Sequence, residues 1–100
     1  MKRYHYFLTC KCELKEYFSE TNQEVIFNCE LRINKAIDNI DRWGVLLRQV
    51  FIEFYKAKRN AVVENGVLLF YNLMKTVEVS EELPTEVIFL NNTKEKENDY

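Results

Sequence analysis

Glycine and proline are scarce in this chain, which has two glycines and one proline among 100 residues. A sequence poor in both is unlike a disordered chain or a loop-dominated fold. Two glycines also cannot build the glycine-rich loops that cradle phosphates and dinucleotides. The chain contains neither a Gly-x-Ser-x-Gly nor a His-Glu-x-x-His motif. We therefore predict that the protein is not an enzyme, although hydrolysis by carboxylates alone is left open.

Strong charge and long apolar runs are also missing. The formal net charge of −2 lacks the basic excess of a nucleic-acid binder and is too small for a global DNA mimic. The longest apolar run, Val67–Tyr71, is five residues, so no segment is predicted to span a bilayer. The amino-terminal residues lack the apolar stretch of a signal peptide. Three cysteines, an odd number, then indicate free thiols in a reducing compartment, and we expect a cytoplasmic protein.

The length suits one domain, which we place at residues 1–90, with 91–100 as a polar, disordered tail. Tyr4–Leu14 and Val25–Ile33 alternate between apolar and polar residues, the pattern of strands with one buried face. The polar stretch between them has the composition of a loop. The two segments therefore predict an antiparallel hairpin.

A helix is predicted over Asp38–Arg59, with Asp38 as its N-cap. Its apolar residues at spacings of three and four form one face, which should pack on the sheet: Ile40, Trp43, Leu47, Val50, Phe51 and Phe54. Val45 and Ile52 form a separate stripe, and Leu46 is also placed off the main face. Either a C-terminal hairpin or a second copy of the chain should cover that stripe.

More strands are predicted after the helix. Asn65-Gly66 lies between apolar runs, a strong hairpin signal. Val67–Met74 is apolar on both sides apart from Asn72, as in a central strand covered on both faces, although a buried helix is the alternative. Thr76–Val79 and Glu86–Leu90 are further strands, the last at an edge. The fold class is α+β: an antiparallel sheet with one long amphipathic helix packed on it, in the order β-β-α-β-β(-β).

The cysteines and the single histidine offer little chemistry. Cys10, Cys12 and Cys29 take inward strand positions, and two sulfurs of a Cys-x-Cys strand lie about 7 Å apart, too far for one tetrahedral metal. We predict that the thiols are reduced, buried and metal-free, and we expect no cofactor. His5 lies on the opposite face from Cys10 and is interpreted as solvent-facing.

Three groups of residues are candidates for a contact surface with a protein partner. Tyr17 and Phe18 are aromatic residues in a polar loop, and they either anchor an interface or fold back over the sheet. The acidic residues around the last turn either face solvent or engage a basic groove. The aliphatic pair off the main helix face completes the set of partner-binding candidates: Tyr17, Phe18, Val45, Ile52, Glu78, Glu81, Glu82 and Glu86.

The segment FNCELRINKAIDNIDRW, taken with the later GVLLFYNLM, resembles small uncharacterised accessory proteins of bacteriophages and prophages. The resemblance extends over about Tyr4–Met74. This chain lacks the Gly-Asn pair of that pattern before its second strand and carries an additional C-terminal hairpin and tail. What the resemblance implies is origin in a mobile element and residence in a bacterial cytoplasm.

The resemblance favours a non-enzymatic binding protein, because such accessory proteins often inhibit host enzymes by binding them. An inhibitor of a bacterial defence nuclease, acting by occlusion as anti-CRISPR proteins do, is the leading hypothesis. A small-molecule binding or sequestering protein, with a pocket between helix and sheet, is one alternative. A homodimeric structural or assembly protein is the other. We expect no membrane partner and no nucleic acid.

Overall fold

The computed structural model describes residues 1–16, 22–57 and 61–90. Within them the chain forms four strands and one helix, which confirms the α+β class: β1 (Lys2–Glu16), β2 (Gln23–Ile33), α1 (Ile40–Ala57), β3 (Ala61–Glu78) and β4 (Glu86–Phe89). The strands make one antiparallel sheet in the order β3-β1-β2-β4. The predicted tail at 91–100 and the predicted helix end at Lys58 and Arg59 lie outside the described residues.

The first two strands form the predicted hairpin. Their register runs without interruption from Tyr4 opposite Ile33 to Leu14 opposite Gln23. The predicted inward residues of both strands face the helix side, where the innermost have no exposed surface: Leu8, Cys10, Cys12, Phe27, Cys29 and Leu31. The alternation predicted this face correctly because side chains of a strand point to opposite sides in turn.

The helix covers that face, although its contact stripe is rotated from the predicted one. Leu46, Val50 and Phe54 are buried, so the placement of Leu46 off the face was wrong. These three residues follow the spacing of four that forms a row along a helix. Ile40, predicted on the face, begins the helix and is 82% exposed. Trp43, Leu47 and Phe51 pack along the side of the row, as predicted.

The helix is capped one residue later than predicted, by Asn39 instead of Asp38. The side chain of Asn39 accepts a hydrogen bond from the backbone N–H of Arg42 at 3.1 Å, which is the geometry of an N-cap. Asp38 therefore lies before the cap, and its side chain accepts a hydrogen bond from Asn39 instead. The first helical residue is Ile40.

Aromatic rings fix the helix on the sheet. Phe27 of β2 stacks on Phe54 with ring centroids 4.1 Å apart and contacts the edges of Phe51 and Phe89. Phe51 also lies against the backbone of Gly66, where an added Cβ would come within 2.7 Å of the ring. A side chain at position 66 would therefore require the Phe51 ring to shift.

The chain does not turn back at Asn65-Gly66, so the predicted hairpin there was wrong. β3 continues through both residues and pairs with β1 along its length. Lys11 pairs with Val67 and Glu13 with Glu64, which leaves two residues of β3 opposite Cys12 alone. Such an excess is a β-bulge. Asn65 has a positive φ of 53°, a backbone conformation that asparagine adopts more readily than most residues. The tolerance of positive φ that would favour a turn at Asn65-Gly66 here permits a bulge within a long strand.

β3 is also an edge strand, not the predicted central one, and the alternative of a buried helix was wrong as well. The further strand predicted at Thr76–Val79 is part of β3, which ends at Glu78. β4 forms the opposite edge of the sheet, as predicted for the last strand. It pairs with β2.

Arg3 holds the segment before β4 against the sheet. Its side chain is 2% exposed, and its Nη1 donates hydrogen bonds to Asn34 Oδ1 at 2.7 Å and to the Leu83 carbonyl at 3.3 Å. Its Nη2 donates to the Pro84 carbonyl at 2.6 Å and to Glu86 Oε1 at 2.9 Å. One guanidinium therefore joins the start of β1, the end of β2 and the chain entering β4.

Candidate interaction surfaces

The aliphatic stripe predicted on the helix is exposed. Val45 is 73% and Ile52 43% accessible to solvent, and we call this pair the outer helix stripe. The C-terminal segment through Leu90 was one of its two predicted covers, but β4 pairs with β2 and leaves the stripe open. A shallow pocket of about 320 Å³ adjoins Ile52, lined also by Arg48, Tyr55 and Val62.

The acidic candidates separate into two kinds. Glu78 lies 3.4 Å from the amino-terminal amine, and Glu86 pairs with the buried Arg3. Glu81 and Glu82 are exposed on the segment between β3 and β4. Half of the predicted acidic group thus takes part in ion pairs within the chain. Tyr17 and Phe18 lie outside the described residues, so the interface proposed for their loop stays a prediction.

An apolar edge along β3 is the surface that sequence reasoning missed. Large side chains on both faces of this strand are between 36% and 54% exposed: Val62, Val67, Leu69, Phe70, Tyr71, Leu73 and Met74. Phe70 touches Phe7 on the face away from the helix, whereas Tyr71 touches Trp43 on the helix side. A run that is apolar on both faces indicates a covered strand, and the edge position contradicts that expectation.

A pocket of about 500 Å³ opens between the start of the helix and β3. It is lined by Trp43 and Tyr71, whose ring centroids are 4.7 Å apart, and by Leu68, Asp38 and Asn39. The pocket lies between helix and sheet, where the small-molecule alternative placed one, and ligand binding there stays a prediction.

The three cysteines are buried, as predicted. The Cys10 and Cys29 thiols share a hydrogen bond, and this bond and burial raise the pKa of Cys10 far above its usual range. A thiol held in its protonated form is neither a nucleophile nor a metal ligand. In the described parts of the chain, no three His, Cys, Asp or Glu side chains converge as metal ligands would. The reduced, metal-free state remains a prediction.

His5 is buried, so its placement in solvent was wrong. It lies on β1, opposite Arg32 on β2 and Lys75 on β3, and the charges of these two residues and of Arg3 act on it. Its Nδ1 is 3.4 Å from Glu30 Oε2 and has no hydrogen-bond partner within the described residues. Burial lowers the pKa of His5 and the Arg32 charge lowers it further, against the opposite effect of Glu30.

This lowered pKa predicts that acid destabilises the protein through His5. The unfolded chain binds a proton near pH 6.5 that the folded chain resists, so the stability contributed by neutral His5 is complete above pH 6.5. It is lost as the pH falls from there towards the lower folded pKa. Urea unfolding of wild type and His5→Gln at several pH values measures this. The variant should show a weaker pH dependence just below pH 6.5, and equal dependence in both proteins would contradict the prediction.

Comparison with known proteins assigns no relative: no protein family, curated protein or solved structure matches this chain. Among the described residues, no helix is both long and apolar enough to cross a membrane. The described surfaces therefore provide the evidence on function.

Proposed function

We propose that the protein is a non-enzymatic binding protein that acts by covering a surface of another protein. The observation that carries this proposal is the outer helix stripe, two aliphatic side chains of α1 that are exposed outside its buried row. Aligned apolar side chains left in solvent are typical of interaction sites. The flanking pocket at Arg48, Ile52 and Tyr55 offers a partner both a recess and a positive charge.

The resemblance to phage and prophage accessory proteins favours a host protein as the target, with a bacterial defence nuclease as the leading example. Inhibition would then be occlusion: the helix covers the surface that the nuclease needs for its substrate. This function requires no catalytic group in the inhibitor and operates in the bacterial cytoplasm. It agrees with the protonated, buried Cys10 thiol and the buried His5.

Replacement of Val45 and Ile52 by Lys is expected to abolish partner binding, because two charges would enter an apolar contact. Tagged wild type and the V45K/I52K variant are used to capture partners from a bacterial lysate, and the complex is rebuilt from purified components. The S80K/T85K variant is the matched control, since it adds two charges at exposed positions away from the helix. Circular dichroism verifies that each variant is folded.

Stoichiometric capture by wild type and control, with at least about tenfold weaker binding by V45K/I52K, supports the proposal. Equal binding by all three proteins would show that the outer helix stripe is not the contact surface. A wild type that captures no protein would contradict the binding function itself.

The pocket beside Trp43 favours a second candidate, a small-molecule binding protein. Its lining combines two aromatic side chains with the polar Asp38 and Asn39, which is the composition of a ligand site. A metabolite that copurifies in native mass spectrometry would favour this function over protein binding. The third candidate, a homodimer joined through Val45 and Ile52, predicts that V45K/I52K is a monomer where wild type is a dimer.

A further inference from the structure

Within the described chain, one side of β3 has no strand beside it. β3 pairs with β1 alone there, so the backbone groups along its other side are available to a further strand. The strand is 18 residues long, and Val67–Met74 contains no charge and no proline. Natural edge strands are usually short, charged or interrupted by proline, because an exposed apolar edge invites another chain to pair.

We propose that β3 pairs antiparallel with β3 of a second copy, about a two-fold axis between Leu69 and Phe70. This arrangement is isologous, so each contact occurs twice and the assembly closes as a dimer. Opposite residues are then those equally far from the axis along the sequence. Glu64 meets Lys75 of the partner subunit, and Val67 meets the partner subunit's Asn72.

Charge complementarity selects this register. On the face away from the helix, Glu24, Glu13 and Glu64 lie side by side across β2, β1 and β3. Like charges directly opposite one another on a sheet are destabilising. At the other end of the same face, Arg32, His5 and Lys75 form a second row across the same strands.

The two-fold axis brings these rows together end to end. The acidic row of one copy continues into the basic row of the other through Glu64 and the partner subunit's Lys75, and the reverse pair forms at the far end. Glu64 and Lys75 are both exposed and have no ion-pair partner within the described residues. The dimer therefore gives Glu64 and Lys75 the ion-pair partners that they lack in the single chain, whereas Glu24 and Arg32 are already paired with Lys11 and Glu30.

The irregularities of β3 support the same axis. β3 has residues without a partner on β1 at Asn65-Gly66, at Leu69 and at Met74. Asn65 and Met74, in the outer two irregularities, lie at equal distances from the point between Leu69 and Phe70, and the middle irregularity lies beside that point. In the proposed register, Asn65 of one copy therefore lies opposite Met74 of the partner subunit, and the outer irregularities of the two strands meet.

Face matching gives a third check. Opposite residues of an antiparallel pair share a face. Leu68 and Tyr71 lie opposite Cys10 and Leu8, both on the helix side of β1. The register places Leu68 against Tyr71 of the partner subunit, so both side chains are on the helix side. The product is an eight-stranded sheet, four strands from each copy, with both helices on one face.

Charge reversal tests the register. E64K and K75E each place like charges together at two sites, so each should weaken the dimer about tenfold or more. The double variant E64K/K75E exchanges the partners of both pairs and should restore the dissociation constant to near that of wild type. Sedimentation equilibrium measures the constants, and circular dichroism verifies folding, which exposed substitutions should preserve. E81K is the control for net charge and should dimerise as wild type does.

Several results would overturn the proposal. If the wild type stays monomeric at high micromolar concentration, the proposed dimer does not form. A double variant as weak as either single variant would exclude this register, and E81K as weak as E64K would show only an effect of net charge. Dissociation by V45K/I52K with E64K unaffected would place the interface on the helix instead. The first three outcomes leave capture of a different protein by the outer helix stripe unaffected, whereas the last would assign that stripe to self-association.

Discussion

Phe27→Ala is expected to lower the free energy of unfolding by about 3–5 kcal/mol, the usual cost of removing a buried phenyl ring. Phe27 is fully buried, and its ring meets Phe54, Phe51 and Phe89. Its loss would leave a cavity where the helix and two strands meet. A domain of this size is stable by only about 5–15 kcal/mol, so the variant should be close to unfolded at room temperature.

Urea denaturation followed by circular dichroism measures the effect of Phe27→Ala. Ile40→Ala is the control, because Ile40 is 82% exposed and its truncation should change stability by less than about 0.5 kcal/mol. Phe51→Ala should fall between the two, since Phe51 is only partly buried. A loss below about 1 kcal/mol for Phe27→Ala would mean that the helix does not pack on the sheet as described.

Arg3→Met should cost about 3 kcal/mol, because it removes four hydrogen bonds of a buried cation and keeps an apolar chain of similar length. The Pro84 carbonyl would lose its Arg3 donor, the Leu83 carbonyl would keep only the Asn34 side-chain amide, and the segment before β4 would be held less firmly against the sheet. Arg3→Lys should also be destabilising, since one ammonium cannot reproduce the fork of a guanidinium.

Arg48→Met is the matched control for Arg3, because Arg48 is exposed and its replacement should be nearly neutral. The free energies of unfolding of Arg3→Met, Arg3→Lys and Arg48→Met, each compared with wild type, test this role of Arg3. The role of Arg3 as a clamp would be refuted if Arg3→Lys were as stable as wild type.

The first half of the fold follows directly from local pattern. Alternation in β1 and β2 determines which side chains enter the core, since a shift by one residue would turn every one of them to the other face. Asn39 takes the helix cap although Asp38 was the predicted residue. Both side chains can cap a helix, and the choice between neighbours depends on where the chain leaves β2.

β3 shows where local pattern is insufficient. Asn65-Gly66 permits either a two-residue turn or a bulge, because both accept positive φ. The choice is made by β1, which is long enough to pair with β3 on both sides of the bulge. An apolar run on both faces likewise cannot reveal whether a strand is central or pairs with a second copy. The burial of β3 depends on which strands lie beside it, and a local sequence pattern does not reveal that.

The candidate surfaces were predicted in part. Val45 and Ile52 could be found because their spacing of seven residues puts them on one helix stripe away from the core. The acidic row through Glu13 and the basic row through His5 could not be found from the sequence. Each row joins residues of three strands, and only the folded sheet sets the register of those strands. His5 was misplaced for the same reason, since its neighbours come from β2 and β3.

Association along β3 is tested most directly by mixing E64K with K75E and measuring mass by light scattering. Each variant alone should be monomeric at a concentration where wild type is a dimer. Their mixture should form a one-to-one heterodimer, because the lysine introduced into one chain then meets the glutamate introduced into the other, and the unchanged Lys75 and Glu64 pair at the second site. A mixture that stays monomeric would contradict the β3 interface.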